Sequence, residues 1–200
     1  MSETLRDDAH GIIAEFKRKS PSRGWINEGG TPDIIPLSYE QNGAAALSIL
    51  TDEKYFGGNL DFVRTARPLV NIPILRKDFI IDEYQLFQAR LIGADAVLLI
   101  AADLKKQEAK ALTTLAHELK LEVLLEMHSP EELGYAELDV DMLGINNRNL
   151  GTFNTDVQNS FRMISHLPEE KLKISESGIN DPTVIKLLRE AGYRGFLMGR

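Results

Sequence analysis

The sequence predicts an α/β chain folded as a (β/α)8 TIM barrel, and three observations predict it. Eight short apolar runs recur along 200 residues, stretches of helical length separate them, and no glycine-rich dinucleotide turn follows the first run. The runs are 12–16, 45–50, 73–77, 96–100, 123–127, 142–146, 172–176 and 195–199. An open doubly wound sheet would place glycines after its first strand, whereas Lys17-Arg18-Lys19-Ser20-Pro21 stands there. Eight strands in this length sit at the lower limit of a closed barrel.

Taken in order, the first ten residues carry acids and no apolar run, and the first strand follows at Ile12. Helices are expected over 33–42, 59–67, 82–92, 105–119 and 182–191. Ser129-Pro130-Glu131-Glu132 reads as a further helix start with proline in its first turn, and Gly93 and Gly192 read as helix stops. No linker, low-complexity tract or short repeat interrupts the chain, so residues 1–200 are expected to form one barrel domain.

Composition narrows the function. Hydrophobic residues make up 43% and charged residues 26%, the balance of a globular domain with a sizeable core. The net charge of -7 argues against nucleic acid, which needs a basic face, and for a small-molecule ligand. Without cysteine there is no disulfide framework, thiolate nucleophile or cysteine-based metal site, and a reducing cytoplasm fits. No run of apolar residues is long enough to suggest secretion or a membrane span.

Active sites of such barrels gather at the C-terminal strand ends. Here the first run ends Glu15-Phe16-Lys17, the third carries Lys77, the fifth Glu126, the sixth Asn146 followed by Arg148, and the seventh Glu176. Side chains two apart share a strand face, which pairs Glu15 with Lys17 and Asn146 with Arg148. Glu15, Lys77, Glu126 and Glu176 come from alternate strands, so they are expected in one polar layer or two adjacent ones. Three carboxylates around two lysines would shift one another's proton affinities, as acid–base catalysis requires. Singly, each also fits a surface ion pair, Arg148 a loop clamp and Asn146 a turn; only the joint placement points to a site.

Ser175-Glu176-Ser177-Gly178-Ile179 closes the seventh run and Leu197-Met198-Gly199 the eighth, and loops after those two strands often hold phosphate. As a bare pattern Ser-x-Ser-Gly is an ordinary turn. Lys17, Lys19 and Arg23 add positive charge nearby, and Trp25, Phe56 and Phe79 follow strand ends where they would line an aromatic pocket or pack in the core. His10, His117, His128 and His166 show no metal-ligand spacing. His128 lies two residues beyond Glu126, on the same side if the strand continues, but in a region that reads as a helix cap.

These segments resemble one family. Ile13-Ala14-Glu15-Phe16-Lys17-Arg18-Lys19-Ser20-Pro21-Ser22 is similar to the first-strand signature of the indole-3-glycerol-phosphate synthases. Leu47-Ser48-Ile49-Leu50-Thr51-Asp52, Tyr55-Phe56-Gly57-Gly58, Leu75-Arg76-Lys77-Asp78-Phe79-Ile80 and Leu125-Glu126-Met127-His128 follow in the family's order. So do Gly144-Ile145-Asn146-Asn147-Arg148-Asn149-Leu150 and Ser175-Glu176-Ser177-Gly178-Ile179.

The resemblance implies that Lys77 is the general acid on the substrate's ketone and that Glu126 handles protons in a later dehydration, with Glu15 and Glu176 in support. Asn146 and Arg148 resemble the residues near an anthranilate moiety and its carboxylate. Lys17, Ser177, Gly178 and Gly199 resemble a phosphate grip, and Phe56, Phe79 and Leu98 would pack around the aromatic ring. The implied substrate is 1-(2-carboxyphenylamino)-1-deoxyribulose 5-phosphate, closed to an indole with loss of carbon dioxide and water in tryptophan biosynthesis, without metal or organic cofactor.

Family members carry an N-terminal helical extension, of which residues 1–10 look like a remnant, and continue past Gly199 into a final helix. The chain is therefore expected to lack most of both, to expose the eighth strand's outer face to solvent or to self-association, and to turn over weakly. Two other readings stay open: another phosphosugar barrel such as phosphoribosylanthranilate isomerase, whose acid–base pair resembles Cys and Asp, and a noncatalytic barrel fragment that binds phosphate ligands.

Overall fold

The computed structural model describes residues 1–149, 151–152 and 154–199; Leu150, in one of the family-like segments, and Arg200 lie outside the described residues. Eight parallel strands close a barrel: β1 Ile12–Phe16, β2 Ala46–Leu50, β3 Ile74–Lys77, β4 Ala96–Ile100, β5 Glu122–Met127, β6 Met142–Asn146, β7 Leu172–Glu176 and β8 Gly195–Met198. Each pairs with the next in sequence, and β1 joins β8 with Ile13 opposite Leu197. The eight apolar runs are thus the eight strands, with ends shifted by one residue at most.

The helices are α1 Ser2–Asp7, α2 Ile35–Gln41, α3 Glu53–Phe56, α4 Leu60–Ala66, α5 Glu83–Ile92, α6 Lys106–Glu118, α7 Gln158–Met163 and α8 Pro182–Ala191. Their ends follow local chemistry. Asp82 and Gln85 form a reciprocal cap at the start of α5, and Gly93 ends it with a left-handed φ of 91° that other residues adopt only under strain. Short α1, α3 and α7 carry too few apolar positions to show a period, which is why the sequence pattern passes over them.

Alternation along each strand sorts the core into two parts. Outward residues such as Ile49, Val97, Leu125 and Phe196 pack under the helices, while Ile13, Leu75, Leu124, Met142 and Ile174 fill the lumen. Leu5 of α1 is fully buried with the lumen group, so the short first helix plugs the amino end of the barrel.

Three expectations need correction. The segment after Ser129 is a 3-10 helix, Pro130–Glu137, and the Ser129 side chain caps nothing. Trp25 sits in a two-stranded hairpin, Lys19–Ser20 with Gly24–Trp25, half exposed between Arg18 and Lys19 rather than in a pocket. The outer face of β8 is not laid open at Phe196, which is fully buried with the Arg189 guanidinium 5.6 Å from its ring centroid. The most exposed large apolar side chains are instead Leu91, Tyr84 and Ile81, in and before α5. Among the described residues no helix is long and apolar enough to cross a membrane.

Candidate active site

At the C-terminal strand ends the lumen changes from aliphatic to charged. Lys77 Nζ stands 2.9 Å from Glu176 Oε2, 3.5 Å from Glu15 Oε2 and 3.7 Å from Glu126 Oε2, so the four alternate-strand residues do meet around one ammonium. Lys17 Nζ closes on the other oxygen of Glu15 at 2.7 Å. Glu176 is fully buried, and the neighbouring strand makes room for it. Gly144 faces the carboxyl directly, and a β-carbon there would collide with Glu176 Oε1.

Crowding separates the proton affinities. Burial opposes the charge of every member, but Lys77 stays protonated well above the ordinary lysine range because Glu176, then Glu15 and Glu126, outweigh that cost. Glu15 is held below the usual carboxylate range by Lys77 and Lys17 against its desolvation. The other two carboxyls diverge as a coupled pair. Burial first, then the charge of Glu126, pushes Glu176 up to about 8, against the pull of Lys77. Lys77, His128 and Asn146 together overcome burial at Glu126 and hold it at about 2.

Above this layer opens a cavity of about 310 Å³. Phe56 and Phe79 line it with ring centroids 6.2 Å apart, and Leu50 of β2 with Leu98 and Ile100 of β4 add aliphatic lining. Their placement is local: Asp52 accepts the backbone N–H groups of Tyr55 and Phe56, which folds α3 over the rim. Asp78 accepts the Phe79 N–H at 2.8 Å while held by Arg76 at 3.0 Å. The polar lining holds Glu15, Lys17, Lys77, Glu126, Asn146, Arg148 and Ser177. Asn146 Oδ1 accepts the Arg148 backbone N–H at 3.0 Å. Among the described residues the Arg148 side chain has no carboxylate within ion-pair reach, and its buried Nε has no acceptor, leaving a cation available to an anionic ligand.

Of the predicted phosphate group, Lys17 and Ser177 line the cavity; Gly178 and Gly199 do not. Ser177 takes an unusual positive φ of 68°, followed by Gly178 at 72°. Gly199 packs against Glu15, where a β-carbon would come within 2.7 Å of Oε1. Glu176 does not line the cavity and accepts a hydrogen bond from Lys77, which does.

The sequence pattern passed over or misread several contributors. Asn147 is buried with its Nδ2 donating to the Ser177 carbonyl at 3.0 Å, bracing the strained turn; a polar residue on the outward face of a buried strand end was the available signal. Pro21, Asp52, Tyr55 and Asp78 also reach the cavity. His128, read as part of a cap, instead sits with Nε2 3.0 Å from Glu126. Among the described residues no group of His, Asp and Glu is arranged to hold a metal ion.

Comparison with known proteins agrees with this geometry. A family profile described as indole-3-glycerol phosphate synthase matches residues 1–200. The indole-3-glycerol phosphate synthase of Bacteroides thetaiotaomicron is 63% identical over 199 residues, covering 100% of this chain and 76% of that protein. The protein of the same description from Polynucleobacter necessarius is 48% identical over 189 residues, 94% of this chain and 71% of its own length. Among solved structures, the N-acetylmannosamine-6-phosphate 2-epimerase of Clostridium perfringens superposes with a TM-score of 0.73 at 13% identity, covering 98% of this chain and 88% of that one. A chain of the Pyrococcus furiosus tryptophan synthase complex superposes at 0.68, also at 13% identity, over 95% and 87%. At that identity the likeness concerns the fold alone.

Proposed function

The chain belongs to the indole-3-glycerol phosphate synthase family, and from that premise we propose how its own residues carry the ring closure, decarboxylation and dehydration of 1-(2-carboxyphenylamino)-1-deoxyribulose 5-phosphate. The family match supports this reading over the isomerase and noncatalytic-fragment readings. The observation that carries the residue roles is the single ammonium of Lys77 held among three carboxylates at the base of a half-aromatic cavity.

Arg148, which lines the cavity with no carboxylate partner among the described residues, receives the substrate carboxylate, and Phe56, Phe79 and Leu98 flank the arylamine. Lys17, Ser177 and the N–H groups of the Ser177–Gly178 turn hold the phosphate, with Gly199 giving Glu15 space beside Lys17. Asn146 keeps the Arg148 backbone in place and contacts Glu126, orienting both.

The aromatic carbon bearing the carboxylate attacks the ketone, and charge grows on the carbonyl oxygen. An alkoxide is basic enough to take a proton even from a lysine held above its ordinary range, so Lys77 stabilises that charge and then donates. Carbon dioxide leaves with its bonding electrons returned to the ring. The new hydroxyl takes a second proton from Lys77, recharged from solvent, and departs as water, while Glu126, ionised and facing the cavity, takes the proton lost from the adjacent carbon and releases it to solvent. Glu15 and Glu176 hold the lysine in line.

The test is indole fluorescence on adding the carboxyphenylamino substrate to this chain and to Lys77→Met. The chain should form product, and the variant, still folded by circular dichroism, should lose turnover by roughly 10²- to 10⁴-fold, the range of a general acid–base residue. Persistent turnover in the folded variant removes Lys77 from this role.

A further inference from the structure

The three carboxylates of the charged layer are not equally supplied with cations. All share Lys77, and Glu15 has Lys17 as well. Glu126 also has a second cationic neighbour, one that does not line the cavity: His128, whose Nε2 is 3.0 Å from Glu126 Oε1. Glu176 has no second cation within reach among the described residues. Its Oε2 is spent on Lys77 and its buried Oε1 meets no donor.

His128 is itself clamped. Glu132 of the 3-10 helix places Oε2 3.7 Å from Nδ1 and accepts the His128 backbone N–H at 2.6 Å. From α7, Asn159 Nδ2 donates to the His128 carbonyl at 2.9 Å. Nδ1 is too far from Glu132 for a hydrogen bond and Nε2 meets no acceptor in hydrogen-bond geometry, so the ring works on its neighbours by charge and by filling space.

We propose that His128 is a positioning residue: an imidazolium wedged between Glu126 and Glu132 that keeps Glu126 as the ionised member of the Glu126–Glu176 pair and leaves the pair's proton on Glu176. The claim rests on the proton-accepting role given to Glu126 above. Its physical basis is local compensation. Two carboxylates sharing one lysine in a buried site cannot both stay charged cheaply, and the proton settles on the one with fewer cations. At Glu176 that proton also relieves an unpartnered buried oxygen. Burial alone would discharge His128, but Glu126 and Glu132 outweigh it and carry the ring up to about 10, so it is cationic at neutral pH. Asp103, from the turn after β4, also faces the ring, and burial and then the charge of Glu126 raise its proton affinity. Asn159 adds no charge.

The test follows the carboxyl carbons of Glu126 and Glu176 by NMR in glutamate-labelled protein, beside steady-state kinetics. In the unsubstituted chain the Glu126 signal should remain that of a carboxylate between about pH 5 and pH 8, while Glu176 titrates at the upper end. In His128→Gln, polar but uncharged, Glu126 should begin to titrate inside that window. At neutral pH kcat should fall in step with the ionised fraction of Glu126, about tenfold where nine-tenths of it is protonated, with KM nearly unchanged. His128→Lys should restore the ionised Glu126 signal. Glu132→Gln, which loosens the clamp from outside, should move Glu126 in the same direction by less, and serves if His128→Gln fails to fold. An unchanged Glu126 signal in a folded His128→Gln or Glu132→Gln protein overturns the proposal. Absence of indole product from the unsubstituted chain would instead sink the reaction assignment, leaving the NMR signals to decide the role of His128.

Discussion

The two ends of the barrel share the same strands and the same inward faces, yet opposite chemistry fills them. At the amino end Ile13, Leu75, Leu124 and Ile174 close the lumen over Leu5. Two residues further along each of those strands stand Glu15, Lys77, Glu126 and Glu176. Burial hardly separates the ends, because Leu124 and Glu176 are both fully shielded from water. The aliphatic layer gains from leaving water at any pH. The charged layer is tolerable only while its members compensate one another, and that dependence is what gives it proton chemistry.

A pair of truncations on β3 puts the contrast under the largest strain. Leu75→Ala should cost about 2–5 kcal/mol at every pH, as a cavity does, with turnover per folded molecule retained. Lys77→Met should cost a similar amount, about 3–5 kcal/mol, at high pH, where Glu176 would lie unpaired and Glu15 and Glu126 would keep only Lys17 and His128, and much less at low pH, where the carboxylates take up protons. Denaturant titration at two pH values measures both; a Lys77→Met cost that ignores pH would show that the layer is not held by mutual charge.

A smaller perturbation sharpens the boundary between the ends. Gly144→Ala adds one methyl where Glu176 already sits, and should cost about 1–3 kcal/mol while displacing the Glu176 carboxyl and lowering kcat. Thermal melting with steady-state kinetics reads both effects, and an unaffected kcat would mean that Glu176 does not hold Lys77 in line.

The finest test is a slope. Glu176, pushed up to about 8, keeps a proton in the folded chain that the unfolded chain has already released, so its contribution falls as pH rises from the ordinary carboxylate value through about 8. Glu176→Gln is neutral throughout, and its melting temperature should decline less across that window than the parent's. Parallel curves would refute the protonated state assigned to Glu176.

Much of this was visible in residue order. The eight strands follow from apolar runs of strand length, and the site's alternate-strand residues follow from polar side chains where aliphatic ones would pack more cheaply. Less was visible where a role depends on what lies across the lumen. Gly144 carries no side chain to draw notice, and its importance comes from Glu176 on the adjoining strand. His128 resembled a cap residue because nothing local shows the chain holding its ring beside Glu126. Gly178 and Gly199 sit in family-like segments yet stay off the cavity wall, since their neighbours in space, Thr155 and Glu15, occupy that side.

Residue type and spacing alone dictate the alternation of strand and helix and the aliphatic and charged halves of each strand, because these depend on periodicities that every chain segment carries within itself. Which carboxylate lies beside which cation and which aromatic rings line the cavity are decided only by closure of the barrel. Coulomb energies and burial depend on distances between strands, and no distance along the chain encodes them.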